Sequence, residues 1–245
     1  MNNAMSRRTF LSAAGTAAMV AGAGTVIPRV ASAEAASAAI NPVKTTAGTF
    51  AIKPLPFDPQ HIKGMSEKML TSHYENNYSG AVKRLNAITE QLALLDWVSA
   101  PVFTVNGLKR EELLATNSMI LHELFFDGLG GEGEPTGNLA DALNRDFGSV
   151  EKWRTQFVAT GKALGGGSGW VLLTYSTHDK RLINTWAADH TMTLANGRPI
   201  LALDMYEHAY QMDYGAKAAS YIDAFMSNIK WSNATALYER YSKEA

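Results

Sequence analysis

The sequence predicts an α+β fold: an N-terminal antiparallel α-hairpin, then a C-terminal domain with a small three-stranded antiparallel sheet flanked by helices. Three observations predict it. Long stretches with apolar residues at three- and four-residue spacing come first. Short β-like runs then mix with further helical stretches. Between them lies a break, residues 127–137, with five glycines and Pro135.

Taken in order, the first forty residues read as an address. Ser6-Arg7-Arg8-Thr9-Phe10-Leu11 is a twin-arginine signature, an apolar stretch follows, and Ala31-Ser32-Ala33 is a small-x-small cleavage site. Residues 1–33 are expected to be a twin-arginine signal peptide and 34–48 a flexible Ala/Ser/Thr-rich linker. The implied partner is the twin-arginine translocase. The implied location is outside the cytoplasm, periplasmic or extracellular, with no membrane attachment in the mature form.

Residues 50–63 hold Pro54, Pro56 and Pro59 and predict an extended arm. Ser66 is placed to cap a long amphipathic helix over 67–95, bent near Gly80. Residues 101–107 read as a connection and 109–126 as the second helix of the hairpin. The first domain is thus 49–130, and the second 131–245. In the second, helices are expected over 139–146 and 150–163, with Ser149 as a cap. Gly165-Gly166-Gly167-Ser168-Gly169 lacks the Gly-Lys-Ser/Thr ending of a phosphate loop, so it reads as a tight turn. Strands are expected over 170–175, 182–187 and 200–203, the first two joined at His178-Asp179-Lys180. Helices over 218–229 and 233–241 close the chain.

Composition narrows the chemistry. The 245 residues are 46% hydrophobic and 18% charged, with a net charge of −1, which gives no basis for nucleic-acid binding. There is no cysteine, so disulfides, thiolate catalysis and iron–sulfur clusters are excluded. Asp204 and His208 stand four residues apart, a spacing that on a helix directs both to one point. Of six histidines, His61 and His178 fall in an arm and a turn. His73 and His122 fall within the two hairpin helices, where they can face each other. Three imidazoles and one carboxylate suit iron or manganese and can also hold zinc.

Several segments, in order, resemble the iron/manganese superoxide dismutase family over roughly residues 50–240. Asp204-Met205-Tyr206-Glu207-His208-Ala209-Tyr210 resembles the signature D-x-W-E-H-A-Y. The segments around His73-Tyr74 and Leu121-His122-Glu123 resemble the two ligand-bearing helices, and Gly167-Ser168-Gly169-Trp170 a connecting segment. The resemblance implies one iron or manganese ion per subunit, held by His73, His122, Asp204 and His208. It implies dismutation of superoxide to O₂ and H₂O₂ through M(III)/M(II) cycling, in a homodimer or higher homo-oligomer. His190 falls at the position whose side chain hydrogen-bonds the metal-bound solvent, and Glu207 at the glutamate that reaches across the dimer interface.

The departures lie near the metal. The gate tyrosine is replaced by Ala81, the histidine beside it by Asn77, the signature tryptophan by Tyr206, a second tryptophan by Leu172 and an interface tyrosine by Gln211. Tyr78 and Tyr206 are the phenols available to replace the gate. With Trp170 and Asn77 they complete the residues expected around the metal. The alternative reading is an exported manganese- or iron-binding protein with weak or no dismutase activity.

Overall fold

The computed structural model describes residues 49–244. The twin-arginine leader and the linker, residues 1–48, lie outside the described residues. The entry arm is laid along the first long helix: the Phe50 N–H donates to Asn86 Oδ1 at 2.8 Å, and Asn86 Nδ2 returns a bond to the Phe50 carbonyl at 3.0 Å. The arm breaks into one 3₁₀ turn, Pro59–His61, capped by Asp58.

Ser66 starts the hairpin as expected, its side chain accepting from the Met69 N–H. The helix is α1, Glu67–Ser72, then a π-helical segment, His73–Tyr78, then α2, Ser79–Leu94. The expected bend at Gly80 is therefore a π segment lying before it. Such segments are uncommon and gather at functional sites; this one begins at His73. The second helix, α3, spans Val102–Asp127 and starts seven residues before the expected onset at 109. Pro101 sits just before its first turn, where a missing N–H costs nothing. Gly107 is tolerated because nothing packs around it. At the connection, Leu94, Trp97, Val98, Val102 and Phe103 are all exposed.

After the glycine-rich turn come α4, Gly137–Phe147, and α5, Val150–Ala163, the latter capped by Ser149. The sheet consists of β1, Trp170–Ser176, β2, Arg181–Ala187, and β3, Gly197–Asp204, in the order β2-β1-β3 and antiparallel throughout. β1 is buried along its whole length, so as the central strand it reads as a continuous apolar run without alternation. α3 packs on α2 and on β3 and so joins the hairpin to the sheet. The short α6, Gln211–Tyr214, was not expected from sequence. α7, Ala218–Ser227, packs on α5, and α8, Trp231–Glu244, packs on β3 and α4. The main chain of 128–131 is bonded to 228–230. No helix among the described residues is long and apolar enough to cross a membrane.

Gly169, immediately before β1, adopts φ +132°, and a Cβ there would meet the Ala187 carbonyl oxygen at 2.2 Å. Its own carbonyl accepts from the Met205 N–H at 2.9 Å. A side chain would force apart the β1–β2 pairing next to Trp170. Gly169→Ala is expected to lower stability by about 3 kcal/mol, read as a drop in urea midpoint. An unchanged midpoint would show that the strands yield more easily than this geometry implies.

Candidate metal centre

Four side chains from three parts of the chain converge. On α3 the buried positions Ala115, Ser118, Met119, His122, Phe125 and Phe126 recur at helical spacing, so His122 occupies the core stripe. His73 follows Met69 by one turn and is likewise buried. The two imidazoles meet edge to face with centroids 5.0 Å apart, the hairpin geometry expected from sequence.

Asp204 and His208 converge differently from the expectation. They do not share a helix. Asp204 is the last residue of β3, paired with Trp170 at the start of β1. The chain then turns through Tyr206 into the 3₁₀ segment Glu207–Ala209, which brings His208 back. The turn is stabilised by the carboxylate itself: Asp204 Oδ1 accepts from the Tyr206 N–H at 2.8 Å. A strand end fits here because the sheet pins the Asp204 main chain, and the Tyr221 hydroxyl donates to its carbonyl at 2.8 Å.

Asp204 Oδ2 is the focus. It lies 3.1 Å from His73 Nε2, 3.2 Å from His208 Nε2 and 3.6 Å from His122 Nε2. Two ligand atoms each about 2.1 Å from one ion and 90–120° apart would stand roughly 3.0–3.6 Å from each other. These spacings suit a shared first-row cation.

His122 supplies the sharper test. Its Nδ1–H donates to the Ser118 carbonyl at 2.7 Å, one turn back on α3. That leaves Nε2 as a bare lone pair, buried and without a hydrogen-bond partner. It faces a carboxylate oxygen, which also has only lone pairs to offer. Two acceptors opposed in a buried site need a cation between them. A fully buried carboxylate has the same requirement. The donor set therefore fits iron or manganese.

The electrostatics agree. Burial pushes the His122 imidazole down to about 3, with His73 acting in the same direction. Burial lowers His73 as well, against the opposing pull of Asp204. Burial alone would raise the Asp204 carboxyl, but the charges and hydrogen bonds of His208 and His73 outweigh it and hold the group well below the usual range. At neutral pH the two buried imidazoles, His73 and His122, are neutral and face an ionised carboxylate.

Three further rings pack against the cluster. Trp170 stands edge-on to His122 with centroids 5.3 Å apart. Its indole N–H donates to His190 Nδ1 at 3.0 Å. Indole nitrogen can only donate, so His190 Nδ1 must accept, and neutral His190 carries its proton on Nε2. Burial lowers the His190 pKa and favours that neutral form. The His190 ring lies 5.9 Å from the His122 ring. Tyr206 is stacked between His190, at 4.8 Å and 12°, and His208, at 5.3 Å and 18°. It offers the cluster its ring face. Among the described residues its hydroxyl makes no hydrogen bond to the four ligand candidates, and burial pushes it up to about 12.

Tyr78 is a correction. As a candidate replacement for the gate phenol it was expected beside the metal. Its hydroxyl instead accepts from the Lys53 N–H at 2.9 Å and donates to Glu123 Oε1 at 3.0 Å. A buried phenol takes whatever partners its surroundings provide, and here these are the entry arm and the outward side of α3. Asn77 is half-buried and Ala81 buried, both beyond His73 on the same helix. Glu207 is exposed, and His208 beside it is the most accessible of the four, its side chain 28% exposed. The cluster thus approaches the surface where Glu207 stands.

Sequence reasoning did not find Ser118, Asn117 or Tyr221. Ser118 carries a usable signal, since it precedes His122 by four residues on one helix. Asn117 and Tyr221 act on atoms distant in sequence, and neither carries one.

Comparison with known proteins places these features. The family described as iron/manganese superoxide dismutases, C-terminal domain, matches residues 135–237. A superoxide dismutase [Fe] of Cupriavidus metallidurans is 67% identical over 185 residues, covering 76% of this chain and 94% of that protein. A superoxide dismutase [Mn] 1 of Halobacterium salinarum is 35% identical over 195 residues, covering 78% and 96%. A superoxide dismutase [Fe] of Aquifex pyrophilus is 33% identical over 193 residues, covering 76% and 89%.

Proposed function

We propose, for a chain that belongs to the iron/manganese superoxide dismutase family, that His73, His122, Asp204 and His208 hold the metal and that the enzyme works outside the cytoplasm. Metal-dependent dismutation of superoxide, with one iron or manganese ion per subunit, follows from the family and from the four-residue cluster. The observation that carries the ligand assignment is the bare, buried His122 Nε2 facing Asp204 Oδ2. The 67% identical relative is named as an iron enzyme, which favours iron as the occupant.

Bound there, the ion supplies one-electron exchange between its divalent and trivalent states. Two superoxide anions and two protons become O₂ and H₂O₂. The chain's own residues do the rest. Asp204 gives the site its one negative charge, set among three imidazole ligands, so a cation would be retained while its charge changes by one. Ser118 fixes the His122 tautomer, as a hydrogen bond to the remote nitrogen of a ligand histidine does generally. Trp170 fixes that of His190, which keeps a proton on Nε2 at neutral pH. Tyr206 packs flat between His190 and His208 and limits how far either ring can turn. With alanine at position 81 and the Tyr78 hydroxyl engaged elsewhere, the Nε2–H of His190 is the group best placed to donate a hydrogen bond to a solvent ligand and so tune the solvent that supplies a proton.

Glu207, exposed beside His208, is the proposed contact to a second subunit, where it would reach the equivalent histidine across a two-fold axis. Homo-oligomers are the general state of this family. Export is supported by the twin-arginine signature at Arg7 and Arg8 and by Ala31-Ser32-Ala33. Elemental analysis and a superoxide assay on protein from the extracytoplasmic fraction of its host test the whole reading. The expected result is close to one iron per chain with superoxide-removing activity in that fraction. Activity confined to the cytoplasm would sink the export reading. Stoichiometric metal with only background superoxide removal would return the exported metal-binding alternative.

A further inference from the structure

We propose that Asn117 is a positioning residue for His190, tying the loop that carries it to α3 and so setting where its imidazole stands relative to His122. The proposal rests on the reading of His190 as the residue that tunes the metal centre.

The loop is residues 188–196, between β2 and β3. Most of its hydrogen bonds are internal or lead back to the sheet. Ser168 Oγ donates to the Ala188 carbonyl at 2.9 Å. Asp189 Oδ1 accepts from the Thr191 N–H at 2.7 Å and from its hydroxyl at 2.6 Å. At the far end, the Thr177 N–H and hydroxyl both donate to the Asn196 carbonyl, at 3.1 and 3.0 Å. None of these reaches the helical hairpin. Asn117 Nδ2 donates to the His190 carbonyl at 2.6 Å. Among the described residues it is the only hydrogen bond between α3 and this loop.

The consequence lies in where the two histidines are anchored. His122 belongs to α3 and His190 to the loop, and their rings lie 5.9 Å apart. Trp170 holds the His190 ring through Nδ1 but belongs to the sheet. Only Asn117 refers the His190 main chain to the helix that carries His122, five residues further on. Asparagine is a poorer helix former than alanine, so its place inside α3 is explained by what its amide reaches. Without the bridge, residues 190–196, largely exposed from Met192 to Asn196, can move off α3 and carry the imidazole with them.

The test compares Asn117→Leu, which keeps bulk and loses the donor, with Asn117→Gln, which keeps a donor, and with His190→Ala. All are metal-loaded. Reduction potential, kcat, metal content and thermal midpoint are measured for each. Asn117→Leu is expected to lose about tenfold in kcat and to shift the oxidised-to-reduced balance by up to tenfold, about 59 mV for one electron. Metal content should be near wild type, and Asn117→Gln should restore most of the loss. Wild-type potential and kcat in Asn117→Leu would overturn the proposal, provided His190→Ala does shift them. So would a loss that tracks metal content and thermal midpoint and is not restored by Gln, because that is a merely structural role. If His190→Ala itself leaves the potential unchanged, the underlying reading of His190 fails, and this proposal with it.

Discussion

Replacing Asp204 by Ala is expected to strip the protein of its metal, lowering affinity by more than about 100-fold and superoxide removal with it. Asp204 Oδ2 lies within 3.6 Å of all three imidazole Nε2 atoms, and Asp204 is the one carboxylate in the cluster. Without it, three neutral nitrogens would have to hold a cation in a buried site with no charge to offset desolvation. A shape-preserving control separates ligation from folding. Asn at 204 keeps an oxygen for the Tyr206 N–H, so the turn that returns His208 should survive, yet the charge is gone. Elemental analysis of both variants, beside urea midpoints of the metal-free proteins, reads the two effects apart. Metal still bound stoichiometrically in Asp204→Ala would mean that the cluster is not the binding site.

Mild acid should destabilise the metal-free protein well before its carboxylates titrate. The direction follows from His122. Burial holds its folded-state pKa down at about 3, against about 6.5 in an unfolded chain. The unfolded state therefore binds the proton more readily. The stability associated with neutral His122 is fully present above about pH 6.5 and is lost as pH falls toward 3. At pH 5 that loss is about 2 kcal/mol from His122 alone. His73, also lowered by burial, adds in the same direction. Asp204, held below the usual carboxylate range, stays ionised through this window and does not offset it. Urea unfolding at pH 7.5 and pH 5 measures the effect, and His122→Gln should flatten the difference. Metal release from the loaded enzyme should follow the same sign, since protons and metal compete for the same nitrogens. A stability that does not change between these two pH values would show that the imidazoles are less buried in solution than here.

Much of the centre is legible in the sequence, for physical reasons that differ between residues. His73 and His122 sit in the apolar stripes of two helices, where an imidazole has no ordinary reason to be unless it has a partner. Ser66 and Ser149 mark helix starts because a cap needs only three consecutive local N–H groups to act on. The three strand segments and the β1–β2 hairpin are legible because β1 is a continuous buried run and its turn to β2 is short, whereas the pairing of β3 with β1 leaves no local mark. The early start of α3 was missed because Pro101 and Gly107 look like breakers until one sees that one precedes the helix and the other faces open space. The π segment at His73–Tyr78 was missed because it depends on packing and leaves no mark in apolar spacing.

The sequence by itself determined the α+β order of elements, the four ligand candidates and the family, since these rest on local periodicity and on residue types at fixed spacing. Only the tertiary structure decided what surrounds them. It turned Tyr78 toward Lys53 and Glu123 and laid Tyr206 flat between two imidazoles. It gave His190 its tautomer through Trp170 and brought Asp204 to His208 by a strand end and a 3₁₀ turn. Each of these is the direction of a side chain or the meeting of segments far apart in the chain, settled when the core closes and every buried polar atom must find a partner. Residue spacing carries no record of that competition.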